Sequence, residues 1–455
     1  MDQPLGPVYE YIGRTSIHPL ILLLTFCFIA FVLFAPKNYV MIPLLIVQSF
    51  ITSAQRVSPG GIDFPILRLL MCITFIRIFL RKEHSYLILN KLDKIILVYG
   101  LVSIVTYSLQ VPAMSSVVFS VGVFIDNIGG YFLVRILVRK DSDFKIIVKT
   151  LLVSAVILVF FFLFESLRGV NLLNSFDANP LSPIIRDGRI RAQGAYSHPI
   201  LAGSFWAAIV PLFLGFCTSK GKQDLTMYAG ALAGMAVIFL CASSTPVMSL
   251  AFGLGATVLF YQRASLTDFK LFLIAIVIGL MLFWNKPIWY LFTKIDIAGG
   301  STGYFRYLLI DQFVKHARDW MLIGVRSTYY WGEGLGLASV GLADLPNQFV
   351  LEGVRGGGVG LALFLASIFT AFRYIGKILK ISTSNDERMH VWQLGVSLLV
   401  HMFSFLGVSY FGQVKFAWWM TIAIAGCLYQ RRISEGLSYD DAVEEPRLLR
   451  ARAGN

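Results

Sequence analysis

Apolar runs of about 16–22 residues recur along almost the whole chain, close to the length that crosses a hydrocarbon core; the first two, joined by the short Pro36-Lys37-Asn38 turn, form a tight hairpin or are not both full spans. The runs fall at about 19–35, 39–54, 62–80, 95–110, 115–138, 146–164, 198–217, 225–242, 245–261, 270–290, 348–372, 390–409 and 413–429. Backbone amides in lipid must be satisfied internally, which leaves helices or a closed barrel. These runs are continuously apolar rather than alternating, so they predict helices. Composition agrees: 14% of residues are charged and mean hydropathy is +0.71, where a soluble chain carries about 25% charge. The expected fold is all-α, a polytopic bundle of 12–13 transmembrane helices. The first run continues into further apolar segments, so it reads as a first span rather than a cleaved signal.

The formal charge of +13 is explained by basic residues at helix ends on the cytoplasmic side. Arg81-Lys82 with Lys91 and Lys94 form one basic loop, and Arg139-Lys140 with Lys145 and Lys149 another. Lys220 and Lys222, then Arg263 and Lys270, then Arg373, Lys377 and Lys380 continue the series. Threading the spans puts all of these on one side with the tail 431–455. No basic patch is interleaved with aromatic residues, so no nucleic-acid partner is expected. The five cysteines lie in or beside apolar runs, with no metal-ligand spacing and no disulfide framework. Two long polar loops, about 165–197 and 285–347, then share the opposite side. Thirteen spans put the N-terminus on that side; twelve put it with the basic loops.

Both long loops carry arginines, whose planar forks suit phosphate; the alternative is that they are solvated. In the first loop, Gly188-Arg189-Ile190-Arg191-Ala192-Gln193-Gly194 leads to Ser197-His198-Pro199 at the start of a span. An extended segment would point Arg189 and Arg191 the same way. Ser197 is a candidate N-cap. His198 is a phosphate donor, a base, or a packed residue at the helix start. Ser243-Ser244-Thr245-Pro246 is a polar kink between two spans, readable as a hairpin turn. In the second loop, Phe305, Leu308, Leu309, Phe313 and Trp320 share one helical face, as in a helix lying in the interface plane. Arg306 projects about 100° from that face, and His316 falls within it as a packing residue. Glycines follow in Gly334-Leu335-Gly336 and from Gly353 to Gly360, with spacing that suits close helix packing. Asn347, Glu352 and Arg355 are polar groups entering a span, and such groups mark functional sites.

The order of these motifs resembles the bacterial O-antigen ligase and polymerase superfamily of inner-membrane proteins. The resemblance lies in Arg189 to Gly194, Ser197-His198-Pro199, Ser243-Ser244-Thr245, Gly303-Tyr304-Phe305-Arg306, Gly334-Leu335-Gly336, and Asn347 with Glu352 and Gly353. Asp126-Asn127-Ile128-Gly129-Gly130-Tyr131-Phe132-Leu133-Val134-Arg135 resembles the exopolysaccharide subgroup. The match runs from about 60 to 430. It implies a glycosyltransferase of the GT-C type with a large periplasmic loop containing short helices, needing no metal and no cofactor. Its donor would be a glycan on undecaprenyl diphosphate, with membrane lipid and proteins of polysaccharide export or chain-length control as further partners. Arg189, Arg191, His198, Arg306, Asn347 and Arg355 would bind diphosphate or glycan, and Asp344 or Glu352 would be the catalytic base. The chain departs from the ligases at Pro346, where they carry a histidine before the asparagine; proline is no base. Polymerase is therefore the first expectation, with ligase or an inactive assembly or transport partner as alternatives. The domain plan is 1–284 with the smaller loop, the large loop 285–347, helices over 348–430, and the tail 431–455.

Overall fold

The computed structural model describes residues 13–219, 222–263, 278, 286–294, 302–332 and 344–452. The protein is 74% helix, which agrees with the all-α expectation. Strands occur only as three two-stranded antiparallel pairs of two or three residues each among the described residues. Among the described residues, four helices are long and apolar enough to cross a membrane: Lys91–Gln110, Met114–Leu137, Asp141–Arg168 and Gln348–Ile381. Pro19–Phe34, Pro199–Gly215, Leu225–Leu240 and Ser244–Val258 are apolar but shorter. At 1.5 Å per residue they reach about 22–26 Å, less than a bilayer core of about 30 Å. Most of the run expected at 270–290 lies outside the described residues. The last helix does not stop where the sequence placed a tail; Val414–Arg452 is one helix.

The loops segregate to the two ends of the bundle as the charge pattern predicts. At one end Arg139 donates to the Glu83 carbonyl, Arg431 pairs with Asp141, Arg432 pairs with Glu387, and Arg263 donates to Asn385. At the other end Thr52 and Gln55 bind Asp177, Arg306 binds Thr245, and Gln413 binds the Ala195 carbonyl. Ser16 pairs with Arg56, and the His18 amide donates to Gln55. Residues 13–18 therefore sit at the end shared by the long polar loops. The Pro36-Lys37-Asn38 turn is a tight hairpin, closed by a 3-10 turn at Lys37–Tyr39.

The Asp126–Arg135 stretch is a structural lock. Its first part, Ile125–Gly129, is a π-helical turn between two α-helical pieces, a feature that re-aims side chains. Asp126 takes a two-pronged bond from Arg68 at 2.8 and 2.6 Å. Arg135 binds Asp93 at 2.7 and 2.8 Å, and the Tyr131 hydroxyl donates to the same carboxylate at 2.5 Å. Asp93 is fully buried and also closes a capping box with Asn90 at the start of the Lys91–Gln110 helix.

The Gln348–Ile381 helix is broken at Gly357, where φ is 65° and ψ is −171°, a conformation essentially confined to glycine. The freed backbone groups find partners in the large loop. The Gly358 amide donates to Met321 and the Val325 amide to Val354, at 2.7 and 2.8 Å. Gln110 donates to the carbonyls of Ile323 and Arg355 at 2.5 and 2.7 Å.

The loop helix Thr302–Lys315 does not lie out in the interface plane with its apolar face to lipid. Leu309 and Trp320 are buried in a small core with Trp331, Val350 and Val354, and Phe305 and Phe313 pack against it. The sequence periodicity identified the apolar face, but protein covers it. His316 packs as expected, stacked on Trp331 at 5.3 Å, with Nδ1 3.0 Å from Asp319. A Cβ on Gly353 would stand 2.6 Å from the Phe313 ring. Gly353→Ala is therefore expected to destabilise the protein by about 1–3 kcal/mol through overpacking. Thermal unfolding of the detergent-solubilised protein reads this as a Tm lower by several degrees; an unchanged Tm contradicts this packing.

Candidate active site at the loop-bearing end

Several contacts fix the Arg189–His198 segment, among them bonds from Asn171 and Gln413 to the Gly194 and Ala195 carbonyls. The Glu165 carboxylate, at the end of the Asp141–Arg168 helix, accepts from the Gln193 and Gly194 amides at 3.1 and 2.9 Å. Gly194 has φ 58°, and a Cβ there would lie 2.4 Å from the Phe162 ring. The Ala192 amide donates to the Leu240 carbonyl at 3.1 Å, which brings Arg191 toward the Ser243–Thr245 turn. Upstream, strands Ile184–Arg186 and Arg189–Arg191 pair around Asp187 and Gly188, both with positive φ, as two-residue hairpins require.

The two arginines of this segment differ in their surroundings. Arg191 is 5% exposed, whereas Arg189 is solvent-exposed beside the turn. Burial first, then repulsion from Arg186, pulls the Arg191 guanidinium below the ordinary arginine range. The same two causes act on Arg306, so these arginines feel a common cationic neighbour. Arg306 donates to the Thr245 hydroxyl at 2.8 Å. Among the described residues neither Arg191 nor Arg306 pairs with a carboxylate. A Cβ on Gly407 would lie 3.0 Å from Thr245 Oγ1 and 3.1 Å from an Arg306 nitrogen. A glycine in the 406–413 linker thus lets the backbone come close to this pair.

His198, not Ser197, caps the Pro199–Gly215 helix: its Nδ1 accepts from the Ile200 amide at 3.2 Å. Ser197 stands 3.4 Å from the Ser53 hydroxyl instead. Burial, and then Arg191, pulls His198 down from 6.5 to about 4, so it is neutral near pH 7. The unfolded chain takes up this proton at higher pH than the folded one. Stability contributed by neutral His198 is present above about pH 6.5 and is lost as pH falls toward 4. His198→Asn, which keeps a capping acceptor, is expected to hold its Tm at pH 7 and to lose less than wild type between pH 6.5 and 4. Parallel melting curves against pH check this; identical pH profiles contradict it.

The other candidates gather around a cavity of about 820 Å³ between the Lys91–Gln110, Met114–Phe124 and Gln348–Ile381 helices. Glu352 lines it, with Tyr99 donating to Oε2 at 2.8 Å and Gln348 donating to Oε1 at 2.7 Å. Gln348 in turn accepts from the Tyr410 amide at 2.7 Å. Arg355 and Lys415 also line this cavity, together with the aromatic rings of Tyr107, Phe119 and Trp419. Lys415 faces a second cavity as well, shared with Arg68 and Asp126. Asn347 caps the Gln348–Ile381 helix by accepting from Val350 and donates to the Leu406 carbonyl. Leu406 precedes the Gly407 that approaches Arg306, so the 406–413 linker joins the two groups.

The structure thus joins Arg306 to Thr245, places Arg191 and Arg306 both within the influence of Arg186, and separately gathers Glu352 and Arg355 on one cavity. Arg189 stays at the surface. Asp344 is exposed and lines none of the described cavities. Glu333 and Gly334-Leu335-Gly336 lie outside the described residues. The sequence reading missed Tyr99, Gln348, Lys415 and the 406–413 linker. Lys415 carried a signal, being a charge inside an apolar run. Gln348 carried another, four residues before Glu352 and so on the same helix face. Tyr99 carried none.

A scan against protein-family models finds no match for the chain, and a comparison with curated proteins finds no significant relative.

Proposed function

We propose that this protein is a membrane polymerase that moves a glycan from undecaprenyl diphosphate onto a second lipid-linked glycan. The observation that carries the reading is that Arg191 and Arg306, from two separate loops, both feel the Arg186 cation and have no carboxylate partner among the described residues, with Arg306 donating to the Thr245 hydroxyl. Guanidiniums gathered in one neighbourhood without a counter-charge suit a diphosphate. The resemblance described above supplies the donor class.

In the proposed step, an acceptor hydroxyl attacks the anomeric carbon of the donor glycan. The bond from that carbon to the diphosphate oxygen breaks, and its electron pair leaves with the diphosphate. Arg191 and Arg306 stabilise the charge that grows on the leaving group. Glu352 receives the proton of the attacking hydroxyl. Tyr99 and Gln348 each donate to one of its oxygens, which fixes the carboxylate in place. Arg355 and Lys415 line the same cavity. The aromatic walls suit a lipid-bearing substrate. Pro346, at the position where the resembling ligases carry histidine, favours polymerase over ligase.

Deletion of the gene, followed by mass spectrometry of extracted glycolipids, tests the reading. Single lipid-linked repeat units are expected to accumulate. Long polysaccharide persisting unchanged contradicts transfer by this protein. Intact lipid-linked polymer with bare lipid A core would point to the ligase.

A further inference from the structure

A second, chemically different cavity lies at the loop-bearing end, beside the Arg191–His198 segment. It occupies about 460 Å³ between residues 52–56, 174–181 and 193–197. The Glu352 cavity is walled by aromatic rings, whereas this one mixes apolar residues such as Leu181 and Ala195 with amides, hydroxyls, the Asp177 carboxylate and the Arg56 guanidinium. Gln193 is 3% exposed, and its Oε1 has no hydrogen-bond partner. Asp177 Oδ1 accepts from Thr52 and Gln55 at 2.5 and 2.7 Å, and Oδ2 accepts no hydrogen bond among the described residues. The Ser53 and Ser197 hydroxyls stand 3.4 Å apart on its wall, and Asn179 lies exposed at the cavity.

We propose that this cavity is a saccharide subsite that takes a neutral sugar of the lipid-linked glycan, a proposal that rests on the glycan-transfer reading above. A sugar ring presents hydroxyls that both donate and accept, so it needs acceptors and donors fixed in place. Thr52 and Gln55 hold Asp177 by one oxygen and leave the other for a sugar hydroxyl. The Gln193 amide oxygen is a second acceptor. A buried acceptor left unsatisfied costs about 1–3 kcal/mol, and a hydroxyl from the ligand removes that penalty. Arg56 also lines the cavity but is paired with Asp63, so the free oxygen of Asp177 disfavours an acidic sugar. Position supports the assignment: Gln193 is two residues from Arg191 and Ser197 adjoins His198, so a sugar here sits next to a diphosphate held by the arginines.

The test uses the full chain in lipid nanodiscs and saturation-transfer-difference NMR. The probes are methyl glucoside, methyl galactoside and methyl N-acetylglucosaminide, with glucuronate as the charged comparison. At least one neutral glycoside is expected to receive saturation, more strongly than glucuronate. Asn179→Trp, which projects a ring into the cavity from an exposed position, and Gln193→Leu are expected to reduce that signal at least fivefold. No signal from any neutral glycoside, or an undiminished signal in Asn179→Trp, overturns the subsite. Glycolipid analysis of the same variants separates the two proposals. Sugar binding that is lost in Asn179→Trp, with polymer persisting in Arg191→Ala and Arg306→Ala strains, retains the subsite and removes the transfer reading. Polymer lost in the arginine variants, with Asn179→Trp unchanged in both binding and product, does the reverse.

Discussion

Arg191→Ala and Arg306→Ala each lower the rate of glycan transfer by about 10²–10³-fold, the usual loss when one preorganised donor to a developing charge is removed. The two act on one leaving group, so the double variant is expected to fall short of the product of the single losses. Arg306→Lys retains the charge but not the fork, and an intermediate rate is expected. Arg191 is buried, so truncation leaves space behind the hairpin; Arg191→Lys provides the variant that keeps most of the volume. Steady-state levels of lipid-linked oligomer, normalised to protein in the membrane, read these effects. Wild-type product levels in both alanine variants contradict the assignment of the diphosphate to these arginines.

Glu352→Gln lowers transfer by about 10²–10⁴-fold, the range for loss of a general base, while the protein remains folded. The amide keeps the size of the carboxylate, and its oxygen still accepts from Tyr99 or Gln348. Unfolding therefore does not account for the loss, and a melting curve close to wild type is the accompanying expectation. Asp344→Asn is the informative contrast. The sequence offers both carboxylates as bases, but Asp344 is exposed and Glu352 lines the cavity. Activity is expected to survive Asp344→Asn. Loss in Asp344→Asn with retention in Glu352→Gln reverses the assignment.

The helical architecture was legible because lipid permits few solutions: continuous apolar runs can only become helices. The segregation of loops was legible from the lysine and arginine series. Span lengths were not. The Ser244–Val258 and Leu225–Leu240 helices are short, and the break at Gly357 depends on backbone partners in a distant loop. Arg191 and Arg306 were both visible as arginines in long polar loops, yet nothing in their spacing said that both would feel Arg186. Their placement follows from Ala192 binding Leu240 and from Gly407 admitting Arg306, contacts between segments far apart in the chain. Arg189 looked equivalent to Arg191 by alternation, but the hairpin turn leaves it at the surface. His198 read as a candidate base, and in the fold its Nδ1 is used by the helix it begins. Asp126 and Arg135 read as one motif, and each is paired with a residue on another helix, Arg68 and Asp93. Glu352 stood out because a carboxylate entering an apolar span is anomalous, and it lines a cavity. Tyr99, its hydrogen-bond donor, looks like any aromatic residue in an apolar run.

The most direct test of glycan transfer is reconstitution of the purified full chain in proteoliposomes with a single undecaprenyl-diphosphate-linked repeat unit, labelled in the sugar. Lipids are extracted over time and resolved by mass. Lipid-linked dimers and longer oligomers are expected, with one undecaprenyl diphosphate released for each new linkage, and far less of both with Arg306→Ala. Persistence of the monomeric repeat unit, with no release of undecaprenyl diphosphate by the folded wild-type protein, would contradict glycan transfer.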